Sequence, residues 1–102
     1  GIKHSVFAPF FGIQAATITA TERIALSNSS PVLCFSVKRD NKQCKWSLLF
    51  DKEIKNFPAE SSSESARILN NALEKIIREC PEQYLWMHRR FKTRPPGELS
   101  LY

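Results

Sequence analysis

The sequence predicts a mixed α/β chain in the order helix, β-hairpin, long helix and short helical basic tail, and three observations carry that expectation. Val32 to Val37 and Lys45 to Phe50 both alternate with strand period, placing Leu33, Phe35 and Val37, and Trp46, Leu48 and Phe50, on one side each. Ile68, Leu69, Ala72, Leu73, Ile76, Ile77 and Cys80 recur with helical period and build one apolar stripe. After Pro81 the four cations, Arg89, Arg90, Lys92 and Arg94, crowd into six positions beside His88.

Each element has local support. Ser5 to Ala8 reads as a short strand, and Pro9-Phe10-Phe11-Gly12 as a shaped turn, because proline fixes its own φ and glycine accepts φ > 0. Gln14 to Ser27 reads as a helix on the spacing of Ala16, Ala20 and Ile24, with Glu22 and Arg23 expected in solvent. Asn28-Ser29-Ser30-Pro31 breaks it. The polar run Lys38 to Gln43 turns the hairpin, whose apolar faces are expected to pack on a helix layer. Asp51 to Glu60 is a charged connector, and Ser61 with Glu64 has the form of a capping box that opens the long helix. Tyr84, Met87 and Phe91 fall at helical spacing before Pro95-Pro96-Gly97 ends regular structure.

Composition excludes several classes. A chain of 102 residues with 42% hydrophobic and 25% charged residues is one folded domain at most. The longest apolar run, Val6 to Phe11, contains Pro9 and falls far short of the ~18 residues of a spanning helix, so neither a transmembrane segment nor a signal peptide is expected. Met87 is the one methionine and the chain opens Gly-Ile-Lys, as expected of a processed N-terminus or a piece of a longer protein. Cys34, Cys44 and Cys80 are odd in number and widely spaced, which signals neither a disulfide framework nor a zinc site; Cys34 and Cys80 read as small core residues.

The net charge is +5, and its densest cluster of cations lies in the tail. Guanidinium groups present forked donors to phosphate and carboxylate oxygens, so this density suits an anion, while a solvated helix end would give the same pattern. Interleaved Tyr84, Trp86 and Phe91 also fit base stacking, membrane anchoring or core. Neither His4 nor His88 has an acid at a spacing that forms a local dyad, and the three glycines make no phosphate loop. No enzyme active site, metal site or cofactor is expected from these residues alone.

Two blocks carry a family resemblance. Pro81-Glu82-Gln83-Tyr84-Leu85-Trp86-Met87-His88-Arg89-Arg90-Phe91-Lys92-Thr93-Arg94-Pro95 closely resembles the C-terminal signature of the lipid A biosynthesis acyltransferases of Gram-negative bacteria. Val6 to Gly12, followed by Gln14-Ala15-Ala16-Thr17, is similar to the phenylalanine-rich block of the same family, in the same order and separation. The resemblance implies the C-terminal portion, residues 1–102, of a single α/β acyltransferase domain that moves a fatty acyl chain from acyl carrier protein to an anionic, Kdo-bearing lipid A precursor. It implies a membrane surface as partner, the cytoplasmic face of the bacterial inner membrane as location, and no nucleic acid. Arg89, Arg90, Lys92, Arg94 and His88 are the implied substrate-binding residues, and Pro9, Phe10, Phe11 and Gly12 the implied loop beside the active site. The family's His-x-x-x-x-Asp/Glu pair, whose His acts as general base, has no match here, so the chain is expected to be inactive alone. The other accounts are a small basic nucleic-acid-binding module, whose binding would weaken steeply with salt, and a non-functional truncated remnant.

Overall fold

The computed structural model describes residues 2–102, which form a flattened body of 46 × 38 × 20 Å. After a 3-10 turn at Ile2–His4 come β1 (Ser5–Phe10), β2 (Ile13–Ile18), α1 (Ala20–Asn28), β3 (Leu33–Asp40), β4 (Lys45–Glu53) and α2 (Ser62–Glu79), then a second 3-10 turn at Pro81–Gln83. The strands form two separate antiparallel pairs, β1 with β2 and β3 with β4, so the class is α/β as the sequence predicts. Among the described residues no helix is long and apolar enough to cross a membrane.

The first hairpin corrects one expectation. Ile13–Ile18 is a strand, and the helix expected over Gln14 to Ser27 occupies only Ala20–Asn28. The cause is the loop before it: Phe11 at φ 48° and Gly12 at φ 78° give the two consecutive left-handed residues of a tight hairpin turn, which returns the chain directly alongside β1. The Ile13-to-Thr19 stretch is also rich in β-branched residues, which suit a pleated strand better than a helix. Thr19 donates from its backbone N–H to the His4 carbonyl (3.0 Å), so the hydrogen-bonded pairs run Val6/Thr17, Ala8/Ala15 and Phe10/Ile13. Pro9 falls opposite Gln14 in the intervening pair, where no N–H is owed to the partner strand.

α1 ends where Ser29 turns left-handed at φ 52°. Glu22, expected in solvent, is 7% exposed, and its Oε1 accepts the Ser65 hydroxyl (3.0 Å), which in turn accepts the Ala59 N–H (2.9 Å). Glu22 and Ala25 are the buried positions of α1, and the carboxylate finds its donor on the neighbouring helix.

α2 is the floor of the molecule. Ser61 Oγ accepts the Glu64 N–H (3.2 Å), as the capping pattern predicts, while the Glu64 carboxylate turns to Arg67. That ion pair holds the Glu64 carboxyl below its ordinary pKa. The most buried positions of α2 are Ser65, Ala66 and Asn70, whereas the apolar stripe from Ile68 to Cys80 is half-covered. The second hairpin matches its predicted strands and extends them into the connector as far as Glu53. Its orientation differs from the expectation: Leu33, Phe35, Val37, Trp46, Leu48 and Phe50 face outward, and the residues turned toward α2 include Ser36 and Lys38. The helical part of the tail is the single turn Pro81–Gln83.

Replacing Ser61 by Ala removes the side-chain cap of α2 and should cost about 1 kcal/mol, a fall in Tm of roughly 4–8 °C for a domain of this size, read by thermal circular dichroism.

Candidate functional site

Both blocks singled out in the sequence meet on one side of the fold. The turn after β1 is fastened by α2: the Phe11 N–H donates to Glu74 Oε1 at 2.7 Å, Glu74 pairs with Arg78 at 3.6 Å, and the Arg78 guanidinium lies 4.8 Å from the Phe11 ring centroid. Pro9 offers its carbonyl to Asn70 Nδ2 (3.0 Å). Phe10 is buried among Phe11, Tyr84 and Phe91, with ring centroids 4.8, 6.4 and 6.1 Å away. Gly12 stands exposed at the turn.

The basic tail divides into two sets. Arg90 reaches inward: Nη1 donates to the Ala16 carbonyl (2.7 Å), Nη2 to Thr17 Oγ1 (3.0 Å), and its guanidinium carbon sits 5.2 Å from the Phe10 ring centroid. Burial draws its pKa below the usual arginine value, against the opposing pull of Tyr84 and Tyr102, yet a guanidinium stays charged. Arg94 donates from Nη1 to the Gln14 carbonyl (2.7 Å), pairs with Glu98, and keeps a buried Nε with no partner among the described residues. His88, Arg89 and Lys92 are exposed, Arg89 lying 5.7 Å from the Tyr102 ring centroid.

This division has a backbone origin. Gln14 and Ala16 occupy the pairs of β2 whose carbonyls point away from β1, and those are the two carbonyls that Arg94 and Arg90 receive. The tail therefore closes the free edge of β2 with side chains. Gln83 does the same at one place on β3, accepting the Arg39 N–H through Oε1 (2.8 Å) and donating from Nε2 to the Arg39 carbonyl (2.9 Å).

Of the residues that organise this region, Thr17 and Gln83 lie within the two blocks singled out in the sequence, whereas Asn70 and Glu74 carry no motif. The one available signal was Asn70, a polar residue a helical turn from Ala66 on the face of α2 that packs against the first hairpin.

Two cavities flank the tail. One of about 490 Å3 lies between β2 and the start of β3 and is lined by Ile18, Leu33, Leu69, Asn70, His88 and Arg90. The other, about 340 Å3, is lined mainly by Phe10, Tyr84, Trp86, Phe91 and Tyr102, with His88 and Arg90 at its wall. Among the described residues no carboxylate is paired with either imidazole. The thiols are equally quiet: burial first, then the nearby Asp51 charge, pushes the Cys34 thiol up, and the bond from Cys80 to Glu82 (3.1 Å) does so for Cys80.

Comparison with known sequences identifies the class of protein to which this fold and site belong. The sequence profile described as bacterial lipid A biosynthesis acyltransferase matches residues 1–93, and the chain belongs to that family. It is 39% identical to the lipid A biosynthesis palmitoleoyltransferase of Escherichia coli K12, over all of this chain and 33% of that protein. To the lauroyltransferase of the same organism it is 37% identical, over all of this chain and 34% of that protein. A Haemophilus influenzae lipid A biosynthesis acyltransferase is 30% identical, again over the whole chain and 34% of its length. The chain thus spans about one third of the length of these relatives. No solved structure matches it.

Arg90→Ala should destabilise the chain by about 2–3 kcal/mol, because it leaves the Ala16 carbonyl and one lone pair of the buried Thr17 hydroxyl without a donor. Arg89→Ala should change stability by less than about 0.5 kcal/mol. Urea denaturation of the two variants side by side reads the difference. Iodoacetamide at mildly alkaline pH should label the exposed Cys44 well before Cys34 and Cys80, as peptide mapping would show.

Proposed function

We propose that residues 1–102 form the C-terminal portion of a single acyltransferase domain, which moves a fatty acyl chain from acyl carrier protein to an anionic, Kdo-bearing lipid A precursor at the cytoplasmic face of the inner membrane. The chain supplies binding surface to that reaction, and the acid–base pair comes from elsewhere in the domain. Family membership over residues 1–93 supports the reaction class. For the role of this part, one observation carries most weight: the tail spends Arg90 and Arg94 on its own fold and presents Arg89, Lys92 and His88 outward.

Cations held on an anchored path suit phosphate and carboxylate groups better than cations on a mobile end, because less side-chain and backbone freedom is lost on binding. Both proposed partners are acidic, the carrier through its side chains and the lipid through its phosphates and Kdo carboxylates, so complementary charge also speeds encounter. Pro9, Phe10, Phe11 and Gly12 act through shape, as a rigid wall beside the site.

In an enzyme carrying the whole fold, Arg89→Ala with Lys92→Ala should raise KM for the lipid or the carrier about tenfold or more, as expected for the loss of charge-assisted bonds. The rise should shrink as salt increases, and kcat should change less than KM. Unchanged KM values for both substrates would remove the exposed cations from the site. The 102-residue chain by itself should show no acyl transfer in the same assay.

A further inference from the structure

The side of the fold opposite the closed β2 edge is unfinished in a particular way. Gln83 takes both backbone groups of Arg39, which fixes the N–H and C=O of Arg39 as pointing away from β4. Backbone groups alternate along an antiparallel pair, so those of Val37 and Phe35, opposite Leu48 and Phe50, point the same way. Among the described residues nothing meets them. Beside this open edge lie two separate cavities, one of about 490 Å3 at Val32 to Cys34 and a smaller one of about 120 Å3 at Ser36 to Lys38, which together outline a groove. One wall is β3 from Leu33 to Lys38, and the other is the tail from Tyr84 to Arg90. The half-covered apolar stripe of α2 is the floor. From Leu69 to Cys80 that floor covers about 16 Å at 1.5 Å per residue, the span of about five extended residues.

We infer that this groove is the seat of a β-strand of about five residues that pairs with the open edge of β3, contributed by the part of the acyltransferase fold lying outside the third of the relatives that this chain matches. The inference rests on the reading of the chain as part of a larger acyltransferase domain. Three features select this occupant. The open groups of Phe35 and Val37 match the alternating donors and acceptors of an extended backbone, and a lipid tail offers neither. The groove floor is apolar, so the inserted strand should carry apolar residues at every second position, on the side that meets α2. The relatives carry twice as much chain again beyond the matched third, enough to supply both the strand and a helical layer over the outward face of the second hairpin. The edge of β2 is excluded as the pairing site because Arg90 and Arg94 occupy its carbonyls.

The test is a chimera in which these 102 residues replace the matched third of the E. coli lauroyltransferase, compared with the free chain by hydrogen exchange. The expected result is at least tenfold slower exchange of the Phe35 and Val37 amides in the chimera than in the free chain. Val37→Pro removes an outward N–H that β4 does not use, so the free chain should keep its circular dichroism while the chimera loses the protection at Phe35. Leu73→Glu, on the exposed part of the floor, should do the same without touching the backbone. A chimera that does not fold overturns the inference, as does one whose two amides exchange as fast as in the free chain. A free chain that dimerises in sedimentation through a contact abolished by Val37→Pro gives the edge to a second copy and also overturns it. Protected amides in a chimera inactive in acyl transfer would sustain the strand seat and count against the functional reading instead.

Discussion

The hydroxyl of Thr17 is the point on which three parts of the chain converge. It donates to the Ala15 carbonyl (3.1 Å) and accepts from Asn70 on α2 (3.1 Å) and from Arg90 on the tail (3.0 Å). A hydroxyl has one proton and two lone pairs, so every capacity it has is used. Around it, Asn70 is 1% exposed and binds the Pro9 carbonyl with its other bond, while Arg90 holds Ala16. The first hairpin, the long helix and the basic segment are thereby fixed to one another by polar groups, beside the small buried side chains Ala8, Ala15 and Ala66 and the larger Phe10. Small side chains let the layers approach closely, and close approach makes a satisfied polar network necessary, since an unpaired group there would be costly.

Strand edges impose the second constraint. Two separate hairpins present four edges, each a row of backbone groups that needs water or a partner. The fold closes one inner edge with guanidinium groups and pins the other at a single residue with a carboxamide, both delivered by the same dozen residues of the tail. The signature block thus has an architectural task that its charge conceals. What is left open at β3 lies beside an apolar groove, so the incompleteness of the second hairpin and the exposure of its aromatic face have one common geometry.

Legibility in the sequence followed how local each determinant was. α2 was readable to within a residue because its cap, Ser61, and its terminating Cys80-Pro81 act over a single turn of chain. The second hairpin was readable because two alternating runs flank a polar loop. β2 was not, since Ala16, Ala20 and Ile24 imitate helical spacing, and the deciding event is a turn that places a phenylalanine at positive φ. Which face of the second hairpin turns outward could not be read from alternation, which marks two faces without saying which meets the helix. The contrast between Arg89 and Arg90 is of the same kind. Adjacent arginines look alike in a sequence, and only the position of the β2 carbonyls separates an anchored side chain from an exposed one.

The tail's departure from a longer helix follows from the strand it serves. Gln14 and Ala16 are two residues apart, so their outward carbonyls lie about 6.7 Å apart, a spacing that an extended tail from Arg90 to Arg94 would overshoot by a factor of two. A helix would match it, since four residues advance about 6 Å, but Arg94 precedes Pro95, and the residue before a proline is pushed out of helical geometry. The chain instead compacts through successive tight turns, with His88 N–H bonded to Leu85, Arg90 to His88 and Lys92 to Arg89 at 3.0, 2.8 and 3.1 Å. Met87 is accordingly 88% exposed although its spacing from Tyr84 and Phe91 is helical. Such a path aims Arg90 and Arg94 at the sheet, turns Phe91 onto Phe10 and leaves Arg89 and Lys92 facing water. The outward cations are therefore a geometric consequence of closing the β2 edge, and any acidic partner meets them already positioned by that closure.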